Sequence, residues 1–108
     1  MILLRLTHPK TGETQVLVVE RGQRHINSQG ETFTLEFPYS PTLHDFFLDL
    51  IQTSMVHAVF RHDLEPPRAY EISLTEIGFA THSNNLVVHW RVMYSKQRDG
   101  EHAYHPWV

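Results

Sequence analysis

Histidine is the residue type with which this chain could most readily do chemistry. The chain has nine histidines among its 108 residues and no cysteine. Imidazole titrates at about pH 6.5, where a general acid or base works best, and it is a common metal ligand. His102 and His105 stand three residues apart in the C-terminal segment EHAYHPWV, residues 101–108. Metal binding, acid–base catalysis and partner recognition are therefore the functions to weigh.

The spacing of these two histidines argues against a metal site. Zinc or nickel needs three or four ligands that converge on one point. Residues three apart on a strand point to opposite faces, and Pro106 disfavours a helix here. The lack of cysteine also removes thiolate ligands, disulfide bonds and a thiol nucleophile. We therefore expect no metal and no other cofactor.

A histidine-dependent enzyme acting on RNA or a nucleotide is the main alternative to a binding function. His89, Arg91 and His105, on strands predicted to be adjacent, would supply two titrating groups and a cation. The formal net charge is −3, however, whereas proteins that hold nucleic acid usually carry a basic excess. The G-x-S-x-G, H-E-x-x-H and phosphate-binding glycine motifs are also missing. These observations favour a protein without enzymatic activity and disfavour nucleic acid as a partner.

Composition and length predict one globular domain that spans residues 1–108. Hydrophobic residues make up 41% of the chain and charged residues 19%, as in ordinary globular proteins. A chain of this length encloses one modest core. The opening MILLRLTHPK is broken by Arg5 and is too short for a signal segment or a membrane span. We expect a cytoplasmic protein with no membrane contact.

The elements that must position the histidines are read from hydrophobic periodicity. ILLRLT and TQVLVVE are β-rich runs joined by a turn with Pro9 and Gly12, which predicts a hairpin. The polar, glycine-containing stretch 21–30 is predicted to be a loop. ETFTLEF alternates strictly and predicts a half-buried strand. Its inward residues are Phe33, Leu35 and Phe37.

One amphipathic helix is predicted after Pro38. Ser40 followed by Pro41 is a typical helix start, and Thr42 with Asp45 is a rival start. Apolar residues then recur at helical spacing. The helix either runs to about residue 60, which we favour, or stops near Thr53 and gives way to a strand.

A second hairpin is predicted in the last third of the chain. AYEISLTEIGFAT changes its inward parity near Thr75 and Glu76, which indicates a β-bulge. LVVHWRVMY alternates again, with His89, Arg91 and Met93 on the outward side. Asp-Gly at 99–100 predicts a tight turn, after which EHAYHPWV would return as an edge strand beside residues 86–96.

These elements predict an α+β fold. We expect a mostly antiparallel sheet of five or six strands with one main helix packed on one face. The predicted order is β-β-β-α-β-β, with residues 101–108 as a final edge strand.

An outward set of residues on the last strands is the strongest candidate for a binding site. Aromatic residues, Met and Arg are enriched at protein interfaces, and Lys is depleted there. The opposing interpretation is that the helix covers this face. The predicted partner-binding residues are His89, Arg91, Met93, His102, Tyr104 and Trp107.

The leading hypothesis is a small interaction module that occludes the surface of a partner. We expect an inhibitor, immunity or adaptor type, since phage and bacterial counter-defence proteins often have this small, mildly acidic, cysteine-free profile. Arg91, Tyr104 and Trp107 are the expected anchors, and the partner is another protein or a second copy of the chain. A small-ligand binder with the aromatic tail as a lid is a further alternative.

Overall fold

A computed structural model of the chain describes residues 1–53 and 55–95. Within this part, seven strands and one helix follow one another in the order β-β-β-β-α-β-β-β, so the fold is α+β as predicted, with more strands than the five or six expected. The elements are β1 (Ile2–Thr7), β2 (Thr14–Val19), β3 (Arg21–Asn27), β4 (Gly30–Pro38), α1 (Pro41–Leu50), β5 (Val56–His62), β6 (Arg68–Phe79) and β7 (Asn85–Ser95).

All seven strands belong to one antiparallel sheet that curls until its edges approach each other. The strand order is β2-β1-β5-β6-β7-β4-β3. The edge strands β2 and β3 are nevertheless separated along the chain by Glu20 alone. A flat sheet of this size would hold its edges about 29 Å apart, and one residue spans about 3.5 Å. The N–H of Glu20 donates to the carbonyl of Glu36 on β4 at 2.9 Å, close to this seam.

The core fills the inside of the curl and is rich in aromatic rings. The rings of Phe33 and Phe60 lie 5.2 Å apart, and Tyr70 meets Phe33 edge to face at 5.3 Å. Burying each such side chain contributes about 1.5–3 kcal/mol. The largest fully buried side chains are Trp90, Tyr70, Phe33, Phe37, Phe47, Leu4, Leu6, Leu35, Leu50, Ile72, Leu86 and Val56.

The helix α1 lies against the inner face of the sheet. Ser40 caps it as predicted, because its Oγ accepts the N–H of Leu43 at 3.1 Å, and Pro41 occupies the first turn. Phe47 contacts Trp90 on β7 edge to face, with a ring distance of 5.9 Å. Phe46, Phe47 and Leu50 join the core, so the helix leaves the outer face of β7 uncovered.

The longer helix that we favoured is wrong, since α1 ends at Leu50 and the chain enters β5 at Val56. Val56, Ala58 and Phe60 are buried in alternation, which is a strand pattern. The sheet also needs a strand between β1 and β6, and β5 pairs with both. Pairing with β1 and β6 therefore determined that this segment is a strand, although its composition suits a helix equally well.

The loop predicted over residues 21–30 is also wrong, because most of it forms β3. An edge strand with much of its surface in water carries little hydrophobic alternation, so the sequence signal was weak. Arg24 points inward and forms an ion pair with Glu31 on β4. Gly30, at a φ of 130°, closes the hairpin in a conformation that favours glycine.

The last hairpin is confirmed, including its bulge. The register between β6 and β7 shifts between Leu74 and Glu76, and again between Glu71 and Ile72. Over residues 86–91 both sides of β7 are paired, one with β4 and the other with β6. These positions therefore offer no free edge for the predicted strand 101–108, and that segment itself lies outside the described residues.

We expect Phe47→Ala to lower the free energy of unfolding by about 3–5 kcal/mol, because it opens a cavity between the helix and Trp90. Leu48→Ala, at the next helical position with 45% of its surface exposed, is the matched control. It should cost less than about 1 kcal/mol. Urea unfolding followed by far-ultraviolet circular dichroism measures both changes. Equal losses would contradict the placement of the helix against the inner face.

Candidate functional site

Three of the six predicted partner-binding residues lie together on the outer face of β7. His89, Arg91 and Met93 alternate with buried Val88 and Trp90, which face the core. Met93 is 51% exposed. Arg91 is also exposed, and His89 is half-buried. We call His89, Arg91 and Met93 the outer row.

The neighbouring strands determine the surroundings of the outer row. His89 Nδ1 forms a hydrogen bond of 3.1 Å with Thr34 Oγ1 on β4. Arg91 stands between Thr32 on β4 and Ser73 on β6, its partners in the two ladders. Among the described residues, no carboxylate forms an ion pair with Arg91. The outer row therefore presents an exposed cation, a held imidazole and an exposed thioether.

The other three predicted partner-binding residues, His102, Tyr104 and Trp107, lie outside the described residues. The same holds for His105, on which the proposed acid–base pair depended, and for the aromatic tail considered as a lid. The predicted contact between the outer row and this tail therefore stays a prediction.

A cluster of three aromatic rings, two of them exposed, was missed in the sequence. Tyr39 follows β4, His44 lies in α1, and Phe79 ends β6. The ring centroids are 6.0 Å apart for Tyr39 and His44, 5.9 Å for Tyr39 and Phe79, and 5.6 Å for His44 and Phe79. Tyr39 is 44% exposed and Phe79 59%. We call these three residues the rim cluster. One feature of the sequence could have indicated the rim cluster: Phe79 is the last residue of its strand and lies beyond the run of core residues.

A cleft of about 610 Å³ opens beside the rim cluster. Asn85 closes its floor, and the side-chain N–H groups of Asn85 donate to Glu20 at 3.1 Å and to Glu36 at 3.2 Å. We call this the rim cleft. It is lined by Pro38, Tyr39, Phe79, Ala80, Ser83, Asn84 and Asn85.

A second cleft, of about 820 Å³, lies at the seam where β2 passes into β3. Glu20, Glu36 and Arg21 line it, so its charges are mixed. Beside it, the amino group of Met1 donates to Asp63 at 2.9 Å. This hydrogen bond and the positive charge of the amine lower the pKa of Asp63 below its usual value. The pair is exposed, so it contributes little to stability.

Two histidines lie against carboxylates, and only one of them is open to solvent. His57 Nδ1 lies 2.7 Å from Glu71 Oε2 on the outer face of β5 and β6, and the ring is about one-third exposed. His8 is 3% exposed, with Nε2 2.8 Å from Asp49 but not aligned with it as a hydrogen bond. Within residues 1–53 and 55–95, no three His, Asp or Glu side chains are arranged to hold a metal ion.

His8 has a structural part in the turn between β1 and β2. Its Nδ1 accepts the N–H of Lys10 at 3.1 Å and that of Thr11 at 3.3 Å. Both bonds use the Nδ1 lone pair, and the ring is almost fully buried, so His8 supports the turn and does not face solvent.

The chain matches no protein-family model, and comparisons with curated proteins and with solved structures found no match either. Over the described ranges, no helix combines the length and the apolar composition needed to cross a bilayer. The case for a function therefore rests on the surfaces described above.

We expect His8→Leu to lower the free energy of unfolding by about 1–3 kcal/mol, because two N–H groups lose their acceptor. His8→Asn is the matched variant. It has nearly the shape of Leu, but its side-chain oxygen accepts an N–H two residues ahead, as in an Asx turn. Asn should therefore cost less than Leu in urea unfolding at pH 7. An equal loss for both variants would contradict the role of the Nδ1 atom as an acceptor in this turn.

Proposed function

We propose that this chain is a small non-enzymatic interaction module that covers a surface of a partner protein through the outer face of β4, β7 and β6. The observation that carries this proposal is the outer row, in which Arg91 and Met93 are exposed and His89 is half-buried, on a sheet face whose opposite side holds the core and the helix. A cytoplasmic location and an inhibitor, immunity or adaptor role, such as in phage or bacterial counter-defence, belong to the same proposal.

The composition of this face supports binding to a protein. The strands β4, β6 and β7 contain no lysine in any position, and lysine is among the residues that are depleted at interfaces. Arg91 and Met93 are of types that interfaces favour. Arg91 has no carboxylate partner among the described residues, so a partner's carboxylate would not need to displace one.

The rigidity of the face supports the same function. His89 is held by Thr34 across the strand pair, so it loses little freedom on binding.

A histidine-dependent enzyme acting on RNA or a nucleotide is the second candidate, and one observation favours it. The carboxylate of Glu71 orients the part-exposed ring of His57, an arrangement typical of a general base. Arg5 and Arg61, exposed on the outer face of the adjacent strands β1 and β5, could attract a phosphate. The charge of −3 weighs against a nucleic-acid substrate.

We expect Arg91→Glu to weaken binding of the partner by about 2 kcal/mol, or thirtyfold, because it reverses the exposed cation at the centre of the outer row. The wild-type chain is first used to capture a stoichiometric protein from extract of its own cells. Titration calorimetry with that purified protein then measures the loss for the variant.

Lys10→Glu is the control for this experiment, since it makes the same change of charge at an exposed turn. It should bind like the wild type. Equal affinity for Arg91→Glu and the wild type would contradict the proposal. A chain that only pairs with itself in light scattering would identify a second copy as the partner instead.

If the second candidate holds, the chain hydrolyses RNA or a nucleotide and His57→Ala abolishes at least about 99% of that activity, since general acid–base catalysis contributes about 100-fold or more. His82→Ala, at an exposed loop position, is the control and should stay active. Circular dichroism checks that both variants fold. A wild-type chain with no activity on single-stranded RNA or nucleoside triphosphates would rule out this candidate.

A further inference from the structure

The rim cluster has no part in the proposed function, because it lies at one end of the curled sheet and not on its outer face. Phe79 pairs with Leu86 and shares the inward side of its strand, but its ring extends past the core to the rim. Tyr39 and Phe79 keep about half of their surfaces in water. Exposed apolar side chains that lie together, unlike those scattered singly, are a mark of a binding surface.

We propose that the rim cleft binds an extended, proline-rich segment of another protein. The inference goes beyond the proposed function, since this site is separate from the outer row and its test does not need the outer-row partner.

The apolar part of the cleft suits proline rings. Tyr39 and Phe79 are tilted by 45° to each other, so their faces form a shallow notch instead of a flat stack. Pro38 adds a third apolar wall at the end of β4. Proline-rich segments are recognised in aromatic-lined grooves of this kind, where their rings pack between aromatic side chains.

The polar part of the cleft suits the backbone of such a segment. A polyproline II helix makes no internal hydrogen bonds, so its carbonyl groups need donors from the binding protein. The Ser83 hydroxyl accepts the N–H of Asn85 at 3.3 Å, which leaves its proton free to donate. The exposed Asn84 amide and the Tyr39 hydroxyl are further donors at the same cleft.

The charges around the cleft disfavour anionic ligands. No Lys or Arg is among its lining residues. Behind Asn85 stand the carboxylates of Glu20 and Glu36, which make the floor unfavourable for an anion. A phosphate, a nucleotide or an acidic peptide is therefore a poor occupant, whereas a neutral or basic proline-rich segment meets no repulsion.

The size of the cleft agrees with a few residues of such a segment. Its volume of about 610 Å³ lies within the usual range for a binding pocket. The segment is already extended before it binds, so it loses little conformational entropy on binding. Because this entropic cost is small, even a shallow cleft can bind the segment.

The test is the binding of a fluorescein-labelled oligoproline peptide about nine residues long, or three turns of the polyproline helix. Fluorescence anisotropy measures its affinity for the full chain. We expect binding with a dissociation constant below about 1 mM, and chemical-shift changes in the amides of residues 38–39 and 79–85. Phe79→Ser should weaken binding by about tenfold or more. Tyr39→Phe, which keeps the ring and removes the hydroxyl donor, should weaken it by a smaller factor.

Leu64→Ser is the matched control, since Leu64 is an exposed apolar residue away from the rim cleft, and it should bind like the wild type. Arg91→Glu should also bind like the wild type, so failure here leaves the proposed function standing. The inference is overturned if the peptide does not bind, if Phe79→Ser binds as tightly as Leu64→Ser, or if a neutral oligosaccharide shifts the same amides and the peptide does not.

Discussion

The single-residue link between β2 and β3 is the constraint on which the rest of the structure depends. These strands are opposite edges of a seven-stranded sheet, and Glu20 is all that separates them along the chain. No flat sheet can satisfy both conditions, because its edges would lie about 29 Å apart. The sheet therefore curls, and the curl creates an inside, an outside and a rim. Each strand residue is buried or exposed according to which of these it faces.

The polar contacts at the seam connect this closure to the rim cleft. Asn85 begins β7 and donates to Glu20 in the link and to Glu36 on β4. Hydrogen bonds to charged acceptors contribute about 1.5–3 kcal/mol each, so these two bonds help to hold the start of β7 beside the end of β4. Asn85 also forms the floor of the rim cleft. The closure of the sheet and the shape of the cleft thus share the same residues.

The surroundings of each histidine, and not its residue type, separate those placed to bind or catalyse from those that support the fold. His8 is enclosed and holds two backbone N–H groups with its Nδ1 atom. His89 stands on the open outer face, and His57 lies there against Glu71. Of these three, only His89 was predicted from the sequence to bind a partner. Surroundings also separate the aromatic residues, since Phe47 and Phe79 are both apolar rings, yet one joins the core and the other remains at the rim.

The sequence by itself determined the α+β class, the cap at Ser40, the bulge after Leu74 and the outward side of β7, because local periodicity and turn chemistry encode these features. Only the tertiary structure decided that residues 56–62 form a central strand and that β3 is an edge strand, since partners distant in sequence supply their hydrogen bonds. The rim cluster also depended on it: Tyr39, His44 and Phe79 come from three elements that meet only when the sheet has curled around the helix.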